Sequence, residues 1–171
     1  ISKPPGDGQP VLWHQDGSYW PLEPMEVVTL WLAVDASAAE NGCMRVLPGT
    51  QHTELQEMQK NTEVENVLGS SIDPAKITPG DATDIDLAAG DVSVHHANII
   101  HGSNANTSDR RRCGLTIRYI PATTRILTNQ QWPSAFLLRG KAVDSVYDYL
   151  SWPTYQSGEH MPFDGCQDWP P

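Results

Sequence analysis

Cysteine is scarce in this chain. The three present, Cys43, Cys113 and Cys166, are odd in number and form no CxxC pair. That usage argues against a disulfide framework or a structural zinc knuckle and points to a reducing, intracellular setting, so a cytoplasmic location is expected. Positive charge is sparse as well: 11 Lys and Arg stand against 21 Asp and Glu, a formal net charge of -10. The field of such a domain repels phosphate, which speaks against nucleic acid and anionic membrane surfaces as partners. Arg110-Arg111-Arg112 is the one basic cluster, and it is too short for a binding stripe. No apolar run approaches a membrane span, no signal peptide is visible, and there are no repeats or low-complexity tracts. The first residue is Ile1 rather than methionine, so a preceding segment is expected.

What is there suits one domain over residues 1–171, since 39% of the 171 residues are hydrophobic. Residues 1–10, rich in proline and glycine, read as loop. Glu26 to Asp35 reads as a buried strand. Asn41-Gly42 is a tight-turn signal, with Cys43 to Leu47 as the returning strand. A short helix is expected around His52 to Lys60. A strand follows the Gly90-Asp91 turn and carries His95, His96 and His101, and Cys113 to Pro121 forms another. Residues 122–171, rich in Trp, Tyr and Pro, read as an irregular wrap around the core. Short strands, turns and little helix imply a mainly β fold, a sandwich or small barrel.

The chemistry starts at "WHQDGSYWPLEP", residues 13–24. In a strand, residues i and i+2 share a face, so His14 and Asp16 project together. Of the other histidines, His101 is the best third ligand: it ends a strand, a glycine turn follows, and Arg112 opens the next strand eleven residues on. Two histidines and one carboxylate on one face of a metal leave three positions open, which suits non-haem Fe(II) and O2. A 2-oxo acid chelates through its carboxylate and keto oxygen, and its far carboxylate needs a bidentate cation such as Arg112.

Three stretches, "WHQDGSYWP", "ENGCMRVLPGT" and "HGSNANTSDRRRCGLTIRY", together resemble the phytanoyl-CoA dioxygenase family of Fe(II)/2-oxoglutarate oxygenases, in register from about Trp13 to Pro121. The resemblance implies a double-stranded β-helix of the jelly-roll or cupin-like type, with few short helices. It implies Fe(II) at His14, Asp16 and His101, 2-oxoglutarate as co-substrate with its distal carboxylate on Arg112 and Ser103 beside it, and Trp31 lining the same pocket. It also implies hydroxylation of a small organic substrate with O2, giving succinate and CO2. The retained Asp16 favours hydroxylation, because related halogenases carry a small residue there. Two features depart from the family: the chain begins just before the HxD pair, and His52 falls one residue later than the usual histidine.

Other residues read as structural. His95 and His96 are expected to form a satisfied core or surface pair. His52 and His160 read as solvent-facing, Arg110 and Arg111 as solvated turn residues, and Cys43 and Cys113 as small core residues. Arg118 lies on the Arg112 face with Gly114 and Thr116 between them, which implies open space above the two small residues. It either anchors an anionic substrate group or is neutralised by a structural acid. Two rival functions stand beside the oxygenase: a cupin-like metal enzyme that uses no 2-oxoglutarate, and a non-catalytic β-domain.

Overall fold

The architecture comes from a computed structural model, which describes residues 1–127, 135–143, 149–151 and 157. His160, Cys166 and most of the expected C-terminal wrap lie outside the described residues. The chain divides into two compact units, residues 1–20 with 25–120, and residues 21–24 with 121–171.

The larger unit holds ten strands among the described residues. In chain order they are β1 (Ser2–Lys3), β2 (Val11–His14), β4 (Val28–Ala33), β5 (Met44–Val46), β6 (Met58–Lys60), β7 (Ser70–Ile72), β8 (Thr83–Ile85), β9 (Val92–His96), β10 (His101–Ser103) and β11 (Arg112–Tyr119). In the smaller unit, β3 (Leu22–Glu23) pairs antiparallel with β12 (Arg125–Ile126). Two four-stranded antiparallel sheets dominate the larger unit, in the orders β1-β11-β4-β9 and β2-β10-β5-β8. Both contribute side chains to one pocket, so the mainly β, double-stranded β-helix expectation is borne out. Among the described residues, no helix is long and apolar enough to cross a membrane.

The first sheet inverts the usual alternation. On β4, Thr29, Trp31 and Ala33 are buried, while Val28 is exposed and Leu30 and Leu32 are half-buried. On β11, Arg112 and Gly114 are buried, and Leu115, Ile117 and Tyr119 are exposed. Polar and small residues therefore point inward, as they do when the interior is a site rather than an oil-filled core. The apolar core lies elsewhere, in Leu47, Ile72, Ile77 and Ile100, with Trp13 and Met58 packed against them.

Four local expectations need correction. Residues 1–10 are not all loop: Ser2 and Lys3 pair with Cys113 and Arg112, and Lys3 is buried with its ammonium donating to the Asn104 carbonyl. Burial, and then the nearby charge of Arg112, push the Lys3 pKa down to about 7. No helix spans His52 to Lys60. Thr50–His52 make one 3-10 turn and Met58–Lys60 form β6 against β7. A nine-residue helix is marginal by itself, whereas strand pairing satisfies the backbone and seats Met58 on the apolar core. The Asn41-Gly42 segment does not fold β5 back on β4. It carries the chain from one sheet to the other, where β5 lies between β10 and β8. The histidine strand is likewise two strands. β9 belongs to the first sheet and β10 to the second, and the turn between them is held by Ile99 N–H donating to the His96 carbonyl (3.2 Å).

Candidate active site

His14 is the last residue of β2, and Asp16 opens a 3-10 turn, Asp16–Tyr19. His101 opens β10 and stands directly across from His14 in the antiparallel register. The end of β2, the 3-10 turn that follows it and the start of β10 thus supply all three side chains from three short elements. His14 Nε2 is 3.5 Å from Asp16 Oδ1, and His101 Nε2 is 3.9 Å from the same oxygen. The ligand atoms of the three residues all lie within 4.8 Å of one another, and all three residues are buried.

Each imidazole is oriented by the backbone two residues before it. His14 Nδ1 donates to the Leu12 carbonyl (2.8 Å), and His101 Nδ1 donates to the Ile99 carbonyl (3.0 Å). A carbonyl only accepts, so the proton sits on Nδ1 and each Nε2 lone pair faces the centre, as metal-binding histidines require. Burial, followed by the neighbouring His14, pushes the His101 pKa down to about 3, which keeps it neutral. Burial alone would raise the Asp16 pKa, but the His14 and His101 rings beside it and the Arg118 guanidinium hold it well below the carboxylate range. Two imidazole nitrogens and one carboxylate converging from one side fit a divalent cation, and they leave the opposite side for other ligands.

Arg112 lies deeper in the same pocket and is only 3% exposed. Its guanidinium stacks 4.9 Å from the Trp31 ring centre, and Nε donates to the Gly42 carbonyl (3.1 Å). Among the described residues, no carboxylate pairs with it. Ser103, which also lines the pocket, has a buried Oγ with no hydrogen-bond partner among them. A buried cation without a counter-ion and a buried hydroxyl without a hydrogen bond are costly unless a ligand satisfies them. Arg110 and Arg111 lie apart at the surface, Arg110 paired with Glu40 and Arg111 bidentate to Asp35 at 2.7 and 2.9 Å.

Two glycines fix the geometry. A Cβ on Gly102 would meet the Val11 carbonyl oxygen at 2.8 Å, so only glycine lets β2 and β10 approach closely enough to juxtapose the histidines. Above Gly114 the space is not open, contrary to the parity argument. The Trp31 indole fills it, and an added Cβ would lie 2.0 Å from Cζ2. Gly114→Ala is therefore expected to displace the indole at a cost of about 1–3 kcal/mol. Thermal melting checks this, and an unchanged Tm would be incompatible with such contact.

Arg118 also faces the pocket, but not into empty space. One of its terminal nitrogens lies 3.5 Å from Asp16 Oδ2, and the guanidinium sits 4.8 Å from the Trp20 ring centre. Sequence reasoning missed His95 altogether. Far from being satisfied, it lines the pocket with its ring centre 5.3 Å from that of His101, and its buried Nδ1 lacks a partner. Strand parity on β9 was available as a signal, but the register that sets His95 beside His101 was not. His96 behaves as a structural residue, its Nδ1 accepting from Asn98 N–H (3.0 Å). His52 is exposed and Cys43 is buried, as expected, and Cys113 is half-buried.

The paired sheets and the His-Asp-His group define a double-stranded β-helix protein with a buried side-chain cluster that could hold a metal ion. Residues 1–114 match the phytanoyl-CoA dioxygenase (PhyH) family, and the chain belongs to it. A probable alpha-ketoglutarate-dependent hypophosphite dioxygenase of Stutzerimonas stutzeri is 33% identical over 124 residues, which is 70% of this chain and 42% of that protein. Phytanoyl-CoA dioxygenase 1 of Oryza sativa subsp. japonica is 27% identical over 135 residues, 77% of this chain and 46% of that one. A solved structure described as the non-heme monooxygenase ThoJ in its apo form superposes with a TM-score of 0.70 at 28% identity, covering 82% of this chain and 50% of that chain. The chain spans about half the length of the curated relatives it matches.

Proposed function

We propose that this chain forms the catalytic core of an Fe(II)- and 2-oxoglutarate-dependent oxygenase that hydroxylates a small organic molecule. The observation that carries the reading is the buried, carboxylate-free Arg112 in one pocket with the His14, Asp16 and His101 cluster. His14, Asp16 and His101 would hold the iron. Arg112 would take the distal carboxylate of 2-oxoglutarate in a bidentate pair, with the Ser103 hydroxyl as a further donor. Trp31 braces the guanidinium in place. With O2 and 2-oxoglutarate, a bound Fe(II) would supply the chemistry of oxidative decarboxylation to succinate and CO2 and of hydroxylation at a C–H bond. The chain's own part is to fix donors at set positions and to keep water from the buried wall of the pocket. The relatives named above include proteins described as dioxygenases and as alpha-ketoglutarate-dependent, which supports the reading.

The test is iron-dependent turnover of 2-oxoglutarate by the full-length protein without added substrate. Succinate is expected to form slowly with Fe(II) and O2 and to stop with a chelator. If the iron form neither binds nor consumes 2-oxoglutarate, the reading fails and a cupin-like enzyme without that co-substrate takes its place.

A further inference from the structure

The inner face of the first sheet carries a row of polar side chains that the metal and co-substrate do not use. Arg118 on β11 is paired in register with Thr29 on β4, and Thr29 with His95 on β9. Directly opposed residues on neighbouring antiparallel strands share a face, so the three form one strip across the sheet. Two strand spacings, about 10 Å in all, separate the backbones at its ends. One end leans toward Asp16 and the other toward His101, at the distances given above.

The strip is short of partners. His95 Nδ1 and Thr29 Oγ1 are buried without a hydrogen bond among the described residues, and so is Ser93 Oγ one row deeper on β9. Besides its stacking on Trp20, Arg118 makes a single ion pair, at 3.5 Å with Asp16 Oδ2, and its side chain stays 41% exposed. A guanidinium has five N–H donors, so most of them remain for a ligand. The pocket, which is open on one side, has a volume of about 130 Å³, close to that of a cavity that takes benzene. Co-substrate between the metal ligands and Arg112 would use most of it. A second molecule would then meet the open side, where Arg118 is.

We propose that Arg118, Thr29 and His95 form the substrate-recognition strip, and that the substrate is a small molecule with an anionic group held by Arg118 and a hydroxyl or similar uncharged hydrogen-bonding group held by His95. The proposal rests on the oxygenase reading above. A molecule lying along the strip passes in front of the metal ligands, so the carbon that reacts is one between its two polar groups. The alternative role for Arg118, bracing Asp16 alone, makes no distinction between ligands.

That difference gives the test. The full-length protein is loaded anaerobically with Fe(II) and 2-oxoglutarate and titrated by calorimetry with three probe sets. These are ω-hydroxy carboxylates of four to six carbons, their primary amides, and the same carboxylates with methyl in place of the hydroxyl. At least one hydroxy acid is expected to bind about tenfold more tightly than its amide, because a site built for a polar group rejects the analogue lacking it. Arg118→Gln is expected to erase the preference for acid over amide, and His95→Phe the preference for hydroxyl over methyl. A bracing role would weaken all probes equally, which would overturn the proposal. Binding by none of the acids would overturn it too. A protein that does not take up 2-oxoglutarate at the loading step loses the oxygenase reading, and the strip's role as a substrate site falls with it.

Discussion

His101→Ala is expected to leave the protein unable to retain Fe(II) through desalting, with an affinity loss well beyond 100-fold. Loss of a mere outer-shell partner of a metal ligand commonly costs 10- to 100-fold, and here a ligand itself is removed. The two remaining donors, His14 and Asp16, lie 3.5 Å apart and hold a labile cation from one edge only. His96→Ala is the matched control. That ring stands on a different sheet from His101 and already accepts the Asn98 N–H, so iron should be retained. Iron content per chain measures both, with a melting curve to show that each variant folds. Retention of iron by the His101 variant, or its loss from the His96 variant, would contradict the assigned triad.

Arg112→Ala should act on the co-substrate rather than the metal. Removing one partner of a buried, bidentate charge pair costs on the order of 3–5 kcal/mol, or about two to three and a half orders of magnitude in affinity. Titrating 2-oxoglutarate into the anaerobic iron form, and following its charge-transfer absorbance, reads this directly. A second variant separates affinity from folding. Arg112→Met keeps the stem against Trp31 but removes a cation that no described carboxylate neutralises, and burial already pushes the guanidinium pKa down. The ligand-free Tm of Arg112→Met should equal or exceed that of the wild type, while stabilisation by added 2-oxoglutarate disappears. Unchanged 2-oxoglutarate affinity in Arg112→Ala would move the clamp to another residue, with Arg118 next in line.

Strand parity was the most informative signal, and it also misled. It correctly set Arg112, Thr116 and Arg118 on one wall of a pocket. It could not say what stood opposite Gly114, because the indole that fills the space comes from Trp31, 83 residues earlier. Hydropathy was a poorer guide to that wall. Residues 26–35 look like a strand buried on both faces, yet the buried face of β4 includes Thr29, and Val28 is exposed. An interior that binds polar ligands reverses the pattern from which burial is usually inferred. The expected hairpin at Asn41-Gly42 failed for a related reason. A turn signal says that the chain reverses, not which strand it will pair with.

The sequence by itself determined the chemistry of the site. His14 and Asp16 are two residues apart, and Ser103 and Arg112 follow His101 within eleven residues, so short local segments deliver these groups whatever surrounds them. Residue type then limits what they can hold: neutral nitrogen and carboxylate oxygen for a divalent cation, a guanidinium for an anion. Tertiary structure alone decided how those segments meet. The strands that carry the site are three to eight residues long, and they acquire position only through pairing. His14 faces His101 across a gap of 87 residues, and Lys3 faces Arg112 across 109. Registers of that range arise from backbone hydrogen bonds and shape fit between distant pieces, such as the close approach at Gly102 that only glycine permits. The same long-range pairing carried the His95 ring to within 5.3 Å of that of His101, while His96, its neighbour in sequence at the end of β9, accepts a local hydrogen bond from Asn98.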